Sequence, residues 1–197
     1  MSKENFEWLR SWCDNTGNKD LPRVLLVGDS ITDGYNEMVR ESLRGVCYVD
    51  HMATSYSVDN NIYGTLCKEF FNNSHYDVIH FNHGLHGKGM SRETYKEGLR
   101  IILADRKEKI VITTSTVVKE KDSEKIDESW LLKLSERNCA VKELADEYGY
   151  FVDDLFSVSL EIPDENRNPD GYHYKKEGYA RLAESVVSSI KKALNNK

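Results

Sequence analysis

Short apolar runs punctuate this chain, and each is followed by a longer stretch of helical period. Arg23 to Val27 (RVLLV) is apolar after its first residue and closes at Gly28, the pattern of a strand buried on both faces of a parallel sheet. A polar stretch of helical period runs from Ser30 to about Leu43. The alternation then repeats, with strands expected at 46–49, 77–82, 109–114 and 150–153 and helices at 62–71, 92–104, 128–148 and 175–194. In the 128–148 segment Leu131, Leu134, Val141, Leu144, Ala145 and Tyr148 share helical spacing, and Gly149 stops it. In the last helix Tyr179, Leu182, Val186, Ile190 and Leu194 form one stripe. Strands alternating with helices of this length predict α/β architecture: a right-handed, doubly wound, five-stranded parallel sheet between two helical layers.

Two segments stand outside that rhythm. Near the start, Phe6, Leu9 and Cys13 share a helical face with Trp8 and Trp12 beside it, which predicts a short amphipathic helix over 3–14, a cover within residues 1–20. The segment 155–174, with Pro163 and Pro169, shows no clear period, and loops of that length in compact domains are more often functional than idle.

A length of 197 residues fits one domain, 1–197, and 39% hydrophobic with 30% charged residues is the composition of a chain that folds in water. The net charge of -6 argues against nucleic acid as a partner, because phosphate binding needs clustered Lys and Arg. Met1 to Arg10 mixes acidic, basic and apolar residues, so neither a secretion signal nor a membrane partner is expected, and the cytoplasm is the expected location. The four cysteines, Cys13, Cys47, Cys67 and Cys139, have no C-x-x-C spacing and read as reduced thiols rather than a zinc site or a disulfide framework.

In doubly wound sheets ligands sit beyond the carboxyl ends of the strands, so the residues after each strand carry the chemistry. After the first strand, Gly28 permits a tight turn and Ser30 opens a helix, where free N–H groups and the helix dipole favour developing negative charge. Ser30-Ile31-Thr32-Asp33 equally fits the S-x-x-D helix cap, in which the serine only satisfies backbone donors. Before the last helix stand Asp170-Gly171-Tyr172-His173, a carboxylate and an imidazole three residues apart; alone they read as a solvated turn. Together the three groups complete one another. A serine hydroxyl needs a base at neutral pH, and the imidazole needs an acceptor to fix its tautomer. Ser30 is then the candidate nucleophile, His173 the base and Asp170 its orienting partner.

Gly28-Asp29-Ser30-Ile31 and Asp170-Gly171-Tyr172-His173 resemble the first and last sequence blocks of the SGNH/GDSL hydrolases, and the resemblance spans Arg23 to Leu194. It implies a three-layer α/β/α sandwich with a flavodoxin-like sheet, and hydrolysis of small carboxylic esters through an acyl-enzyme, with O-acetyl groups on carbohydrate as the favoured substrate. No cofactor or metal is implied. The two middle blocks depart from the pattern. Gly84-Leu85-His86-Gly87 stands where the family has G-x-N-D, so His86 takes the place of the oxyanion-hole Asn, with Asn82 a second candidate donor. Ala53-Thr54-Ser55-Tyr56-Ser57 lacks the family's glycine, and Ser55 occupies its position. The resemblance thus assigns an oxyanion hole to the Ser30 N–H with Ser55 and His86 or Asn82.

Three rivals remain at this level. His80, His83 and His86 invite a metal, but strand alternation sends His80 and His83 to opposite faces. A flavin protein would share the sheet order, yet Gly28 to Gly34 lacks a P-loop lysine and carries two carboxylates. The strongest rival is a catalytically weak or inactive module that binds carbohydrate or acyl groups on the same fold. Tyr35, Tyr56 and Tyr172 are the aromatics expected near the cleft. Oligomeric state is not legible from the sequence.

Overall fold

The computed structural model describes residues 5–196. In chain order the elements are β1 (Leu9–Trp12), β2 (Arg23–Gly28), α1 (Ser30–Ser42), β3 (Tyr48–Thr54), α2 (Asn61–Asn72), β4 (Val78–Asn82), α3 (Arg92–Leu103), β5 (Lys109–Thr113), α4 (Glu128–Tyr148), β6 (Phe151–Asp153), α5 (Leu155–Leu160) and α6 (Lys176–Asn195). The sheet order is β1-β3-β2-β4-β5-β6. The five strands from β2 to β6 are parallel, as the apolar runs predict, while β1 joins the edge antiparallel to β3.

Successive residues of β2 show why such a strand is apolar throughout. Val24 and Leu26 pack with Ile31, Tyr35 and Val39 of α1 and Leu182, Val186 and Ile190 of α6. Leu25 and Val27 face the opposite layer, built from Tyr63 and Cys67 of α2, Leu99 and Leu103 of α3, and Val141 and Leu144 of α4. Side-chain period 2 therefore fills two cores at once. Cys67 is fully buried in the second core, and desolvation pushes its thiol up to about 12, which leaves it inert at neutral pH. The four cysteines are free thiols.

Three expectations are corrected. The amphipathic helix over 3–14 is not formed in its described part: Leu9–Trp12 is a strand, pairing Leu9 with Thr54 and Trp12 with His51. Residues 3 and 4 lie outside the described residues. A fully buried β3 would otherwise present an open edge, and pairing it outweighs the weak helical period of four exposed residues. The second apolar run is also longer than its hydrophobicity indicates, reaching Thr54, because Asp50 and His51 sit inside the strand with partners: Asp50 takes the Arg23 guanidinium at 2.7 Å, and His51 lies 3.7 Å from Asp33. Finally, the segment 155–174 begins with a helix, α5, capped by the Asp154 carboxylate at the Ser157 N–H. Among the described residues no helix is long and apolar enough to cross a membrane.

Candidate active site

At the carboxyl end of β2, Gly28 is the last strand residue, and its need for glycine is steric rather than conformational. A Cβ there would lie 2.4 Å from the Asn82 carbonyl oxygen and 2.0 Å from Thr32 Oγ1. The first turn of α1 thus approaches β4 more closely than any side chain allows. The cap of α1 is Asp29, whose Oδ1 accepts from the Ile31 N–H at 3.0 Å. Ser30 is the first helical residue, not the cap, so its hydroxyl is released from the structural duty that the S-x-x-D pattern allowed. It makes instead a 2.8 Å contact with His173 Nε2.

The imidazole is held from behind. Asp170 Oδ1 accepts from the backbone N–H groups of Tyr172 at 2.8 Å and His173 at 2.9 Å, and Oδ2 lies 2.7 Å from His173 Nδ1. Burial alone would raise the Asp170 carboxyl, but the His173 N–H, the His173 ring and the Tyr172 N–H outweigh it and hold the group below the ordinary carboxylate range. An ionised Asp170 can only accept. His173 Nδ1 must then be the donor, Nε2 is left as acceptor, and the Ser30 O–H donates to it. The chain of groups runs from an exposed carboxylate to a half-buried hydroxyl, and its polarity follows from the carboxylate's charge.

Gly171 closes the turn in the left-handed region at φ 83°, and a Cβ there would lie 2.1 Å from the Lys119 carbonyl oxygen. The Lys119 N–H in turn donates to the Gly171 carbonyl at 2.9 Å. Gly171→Ala is expected to lower stability by about 2 kcal/mol, the sum of a strained backbone and a contact with main chain that cannot swing away. Chemical denaturation of the two proteins checks it; an unchanged midpoint would show that the turn relaxes freely.

The third strand-end loop, Gly84 to Gly87, presents His86 half-buried at the same end of the sheet. His86 stacks on His83 with centroids 5.6 Å apart, and His83 stacks on Tyr63 at 4.4 Å. His83 is buried between the Tyr63 and His86 rings. Desolvation lowers its pKa to about 4, so it stays neutral. His80 points the other way, as alternation requires, with Nε2 3.1 Å from Asp153 and its ring edge-on to Tyr35. The three histidines do not converge.

Other expected site residues lie elsewhere. The Ser55 N–H donates to the Trp8 carbonyl at 3.3 Å, continuing the β1–β3 ladder, and its hydroxyl donates to Glu7 at 2.7 Å. The residue just ahead of β1 therefore occupies the N–H that the family resemblance assigned to the oxyanion hole. The Asn82 amide, buried under the sheet end, donates to the Tyr35 hydroxyl at 3.3 Å. Tyr35 itself is fully buried in the α1–α6 core and is not a cleft residue; Tyr56 and Tyr172 are half-buried. Sequence reasoning missed Arg137 and Trp130 of α4, of which Arg137 touches the His86 loop and Trp130 the His173 loop. One signal was present: Arg137 is a charged residue on the helix stripe that otherwise carries Trp130, Leu134, Val141 and Leu144.

No protein-family model matches the sequence, and no curated protein matches it. Solved structures do match the fold. An acetylxylan esterase from Geobacillus stearothermophilus superimposes with a TM-score of 0.72 at 16% identity, over 86% of this chain and 94% of that one. The catalytic domain of peptidoglycan O-acetyltransferase A from Streptococcus pneumoniae gives 0.67 at 14% identity, over 89% and 96%. A lipase/acylhydrolase from Enterococcus faecalis gives 0.64 at 18% identity, over 87% and 96%. Structures of the Geobacillus esterase include catalytic mutants in which a serine and a histidine are each changed to alanine. The architecture is the α/β fold of the SGNH/GDSL hydrolases, as the sequence blocks at Gly28 and Asp170 imply.

Proposed function

We propose that this protein is a serine esterase that hydrolyses small carboxylic esters, O-acetyl groups on carbohydrate foremost, with Ser30 as nucleophile. The observation that carries the reading is the unbroken chain from Asp170 through His173 to Ser30, with links of 2.7 and 2.8 Å. In acylation the Ser30 oxygen bonds to the ester carbonyl carbon while its proton passes to His173 Nε2. The resulting imidazolium, stabilised by Asp170, gives that proton to the leaving alkoxide as the C–O bond breaks. Water then bonds to the acyl carbon as His173 Nε2 takes its proton, the bond from that carbon to the Ser30 oxygen breaks as His173 returns the proton to Ser30, and the acid leaves as its carboxylate with its proton lost to solvent. Ser30 N–H and the His86 ring are the proposed donors to the oxyanion. Ser30 contributes because Asp29 caps the next residue, and His86 because it stands at the adjoining strand end. The acetyl-carbohydrate preference draws on the acetylxylan esterase and the O-acetyltransferase that share the fold.

One observation favours the rival, a weakly catalytic binding module: the Ser55 N–H is already engaged by Trp8. A single experiment separates the two. The purified protein is incubated with p-nitrophenyl acetate, and with an organophosphonate followed by peptide mass spectrometry. Turnover with covalent modification at Ser30 is expected. Neither turnover nor label would overturn the esterase reading in favour of the binding module. A panel of acetylated sugars, phospholipids and short acyl thioesters then tests the substrate class, and preference for a lipid or thioester would overturn the carbohydrate assignment.

A further inference from the structure

We infer that Arg137 is the positioning residue of this site, a buried brace on α4 that holds the His86 loop in fixed relation to the Asp170–His173 turn. The inference rests on the reading of Ser30, His173 and His86 given above. Its starting point is a side chain in the wrong place. Arg137 is fully buried on the apolar stripe of α4, where a leucine or methionine would pack without desolvating a charge, and burial holds its pKa below the ordinary guanidinium range even though the charges of Tyr95, Asp59 and Glu136 favour the cation. Its guanidinium donates to three main-chain carbonyls of one short loop: Gly84 at 2.5 Å, His86 at 3.0 Å and Gly87 at 2.5 Å. That loop has two glycines, one at φ 66°, while Leu85 packs in the core and His86 stacks on His83. A planar fork that reaches three acceptors fixes the loop's orientation as well as its place, which a flexible ammonium does not.

The other side of the guanidinium completes the connection. It lies over the Tyr95 ring at 5.2 Å and the Trp130 ring at 5.9 Å. Trp130 Nε1–H donates to the Tyr172 hydroxyl at 2.8 Å, and the Tyr172 N–H donates to Asp170 at 2.8 Å. Contacts therefore run without a gap from the His86 carbonyl through Arg137, Trp130 and Tyr172 to the carboxylate that orients His173. The neighbouring residue on α4 does the same for the next loop: the Asn138 side chain accepts from the Ser115 N–H at 2.8 Å and donates to the Ser115 carbonyl at 3.3 Å. One helix thus sets the loops after β4 and β5 and steadies the turn before α6.

The test uses the full chain, with histidine ring signals followed by NMR beside kcat and KM on p-nitrophenyl acetate. The His86 ring is stacked on His83, so its carbon-bound protons carry a ring-current shift. In folded Arg137→Met that shift is expected to collapse while the His80 signal, on the opposite face, stays in place. kcat is expected to fall on the order of 10²-fold, as when an oxyanion donor is displaced, with KM little changed. Arg137→Lys keeps the charge but not the fork and is expected to restore only part of either readout. Should Arg137→Met not fold, Trp130→Phe keeps a ring beside Arg137 but removes the donor to Tyr172; the His173 signal is then expected to move and kcat to drop with KM unchanged. Folded variants with His86 and His173 signals at their native positions would overturn the brace, whatever their activity. A native protein without esterase activity would overturn the function proposed above and leave the brace to be decided by the NMR signals.

Discussion

Ser30→Ala and His173→Ala are each expected to lower kcat on p-nitrophenyl acetate by roughly 10⁴- to 10⁶-fold, and the double variant is expected to be no slower than either alone. The reason lies in the order of the contacts. Nε2 has one acceptor site, and it faces Ser30 Oγ at 2.8 Å, so the imidazole has no proton to take once the hydroxyl is gone, and the hydroxyl has no base once the imidazole is gone. Residues that act as one unit lose their function once, not twice. Asp170→Asn is expected to cost less, on the order of 10²- to 10⁴-fold, because the carboxylate is nearly half exposed and water can partly replace it, although the amide can present its N–H to Nδ1 and set the wrong tautomer. Steady-state kinetics of the four variants beside the native protein decides it. Multiplicative losses in the double variant would mean that Ser30 and His173 act in separate steps.

A second large effect concerns stability rather than rate. His83 is buried, and its folded pKa of about 4 lies well below the 6.5 of an unburied imidazole. Between those values the unfolded chain binds a proton at this position and the folded chain does not. Lowering the pH from 6.5 to 4 therefore favours unfolding, by about 3 kcal/mol from this group if the whole interval is crossed. His83→Phe preserves a flat ring between Tyr63 and His86 and removes the titration. The variant is expected to match the native protein near pH 7 and to exceed it progressively below pH 6.5, with no further divergence below about 4. Urea unfolding across that range measures the difference between the two curves, and parallel curves would show that His83 is protonated without cost in the folded protein.

How much of this was legible in the sequence depends on whether a signal was local. The five parallel strands and their intervening helices were legible because a strand buried on two faces has to be apolar without interruption, as Val24 to Val27 are. The edge strand was not. Four exposed residues carry little hydrophobic pattern, and what converts them to a strand is the open side of β3, a partner 39 to 45 positions away. The extension of β3 was hidden for a related reason: Asp50 and His51 look like loop residues until Arg23 and Asp33 are seen beside them. Ser30, Asp170 and His173, which the fold brings into contact, were legible because a nucleophile, a base and its acceptor each demand a particular residue type. The oxyanion donors were harder, since a backbone N–H has no residue identity; only the ladder to Trp8 shows that the Ser55 N–H is engaged. Arg137 was visible as an anomaly on an apolar stripe, but its meaning lay in three carbonyls from another part of the chain.

The reversed direction of β1 has a practical consequence for handling the protein. Leu9 pairs with Thr54, at the carboxyl end of β3, so residues 5–8 lead into β1 from the end of the sheet where Ser30 and His173 sit. The last helix runs the other way. It starts just after His173 and ends where the Lys109 ammonium, at the amino end of β5, donates to the carbonyls of Ala193 and Asn196. A surface tether attached behind α6 therefore sits at the opposite end of the sheet from Ser30 and His173.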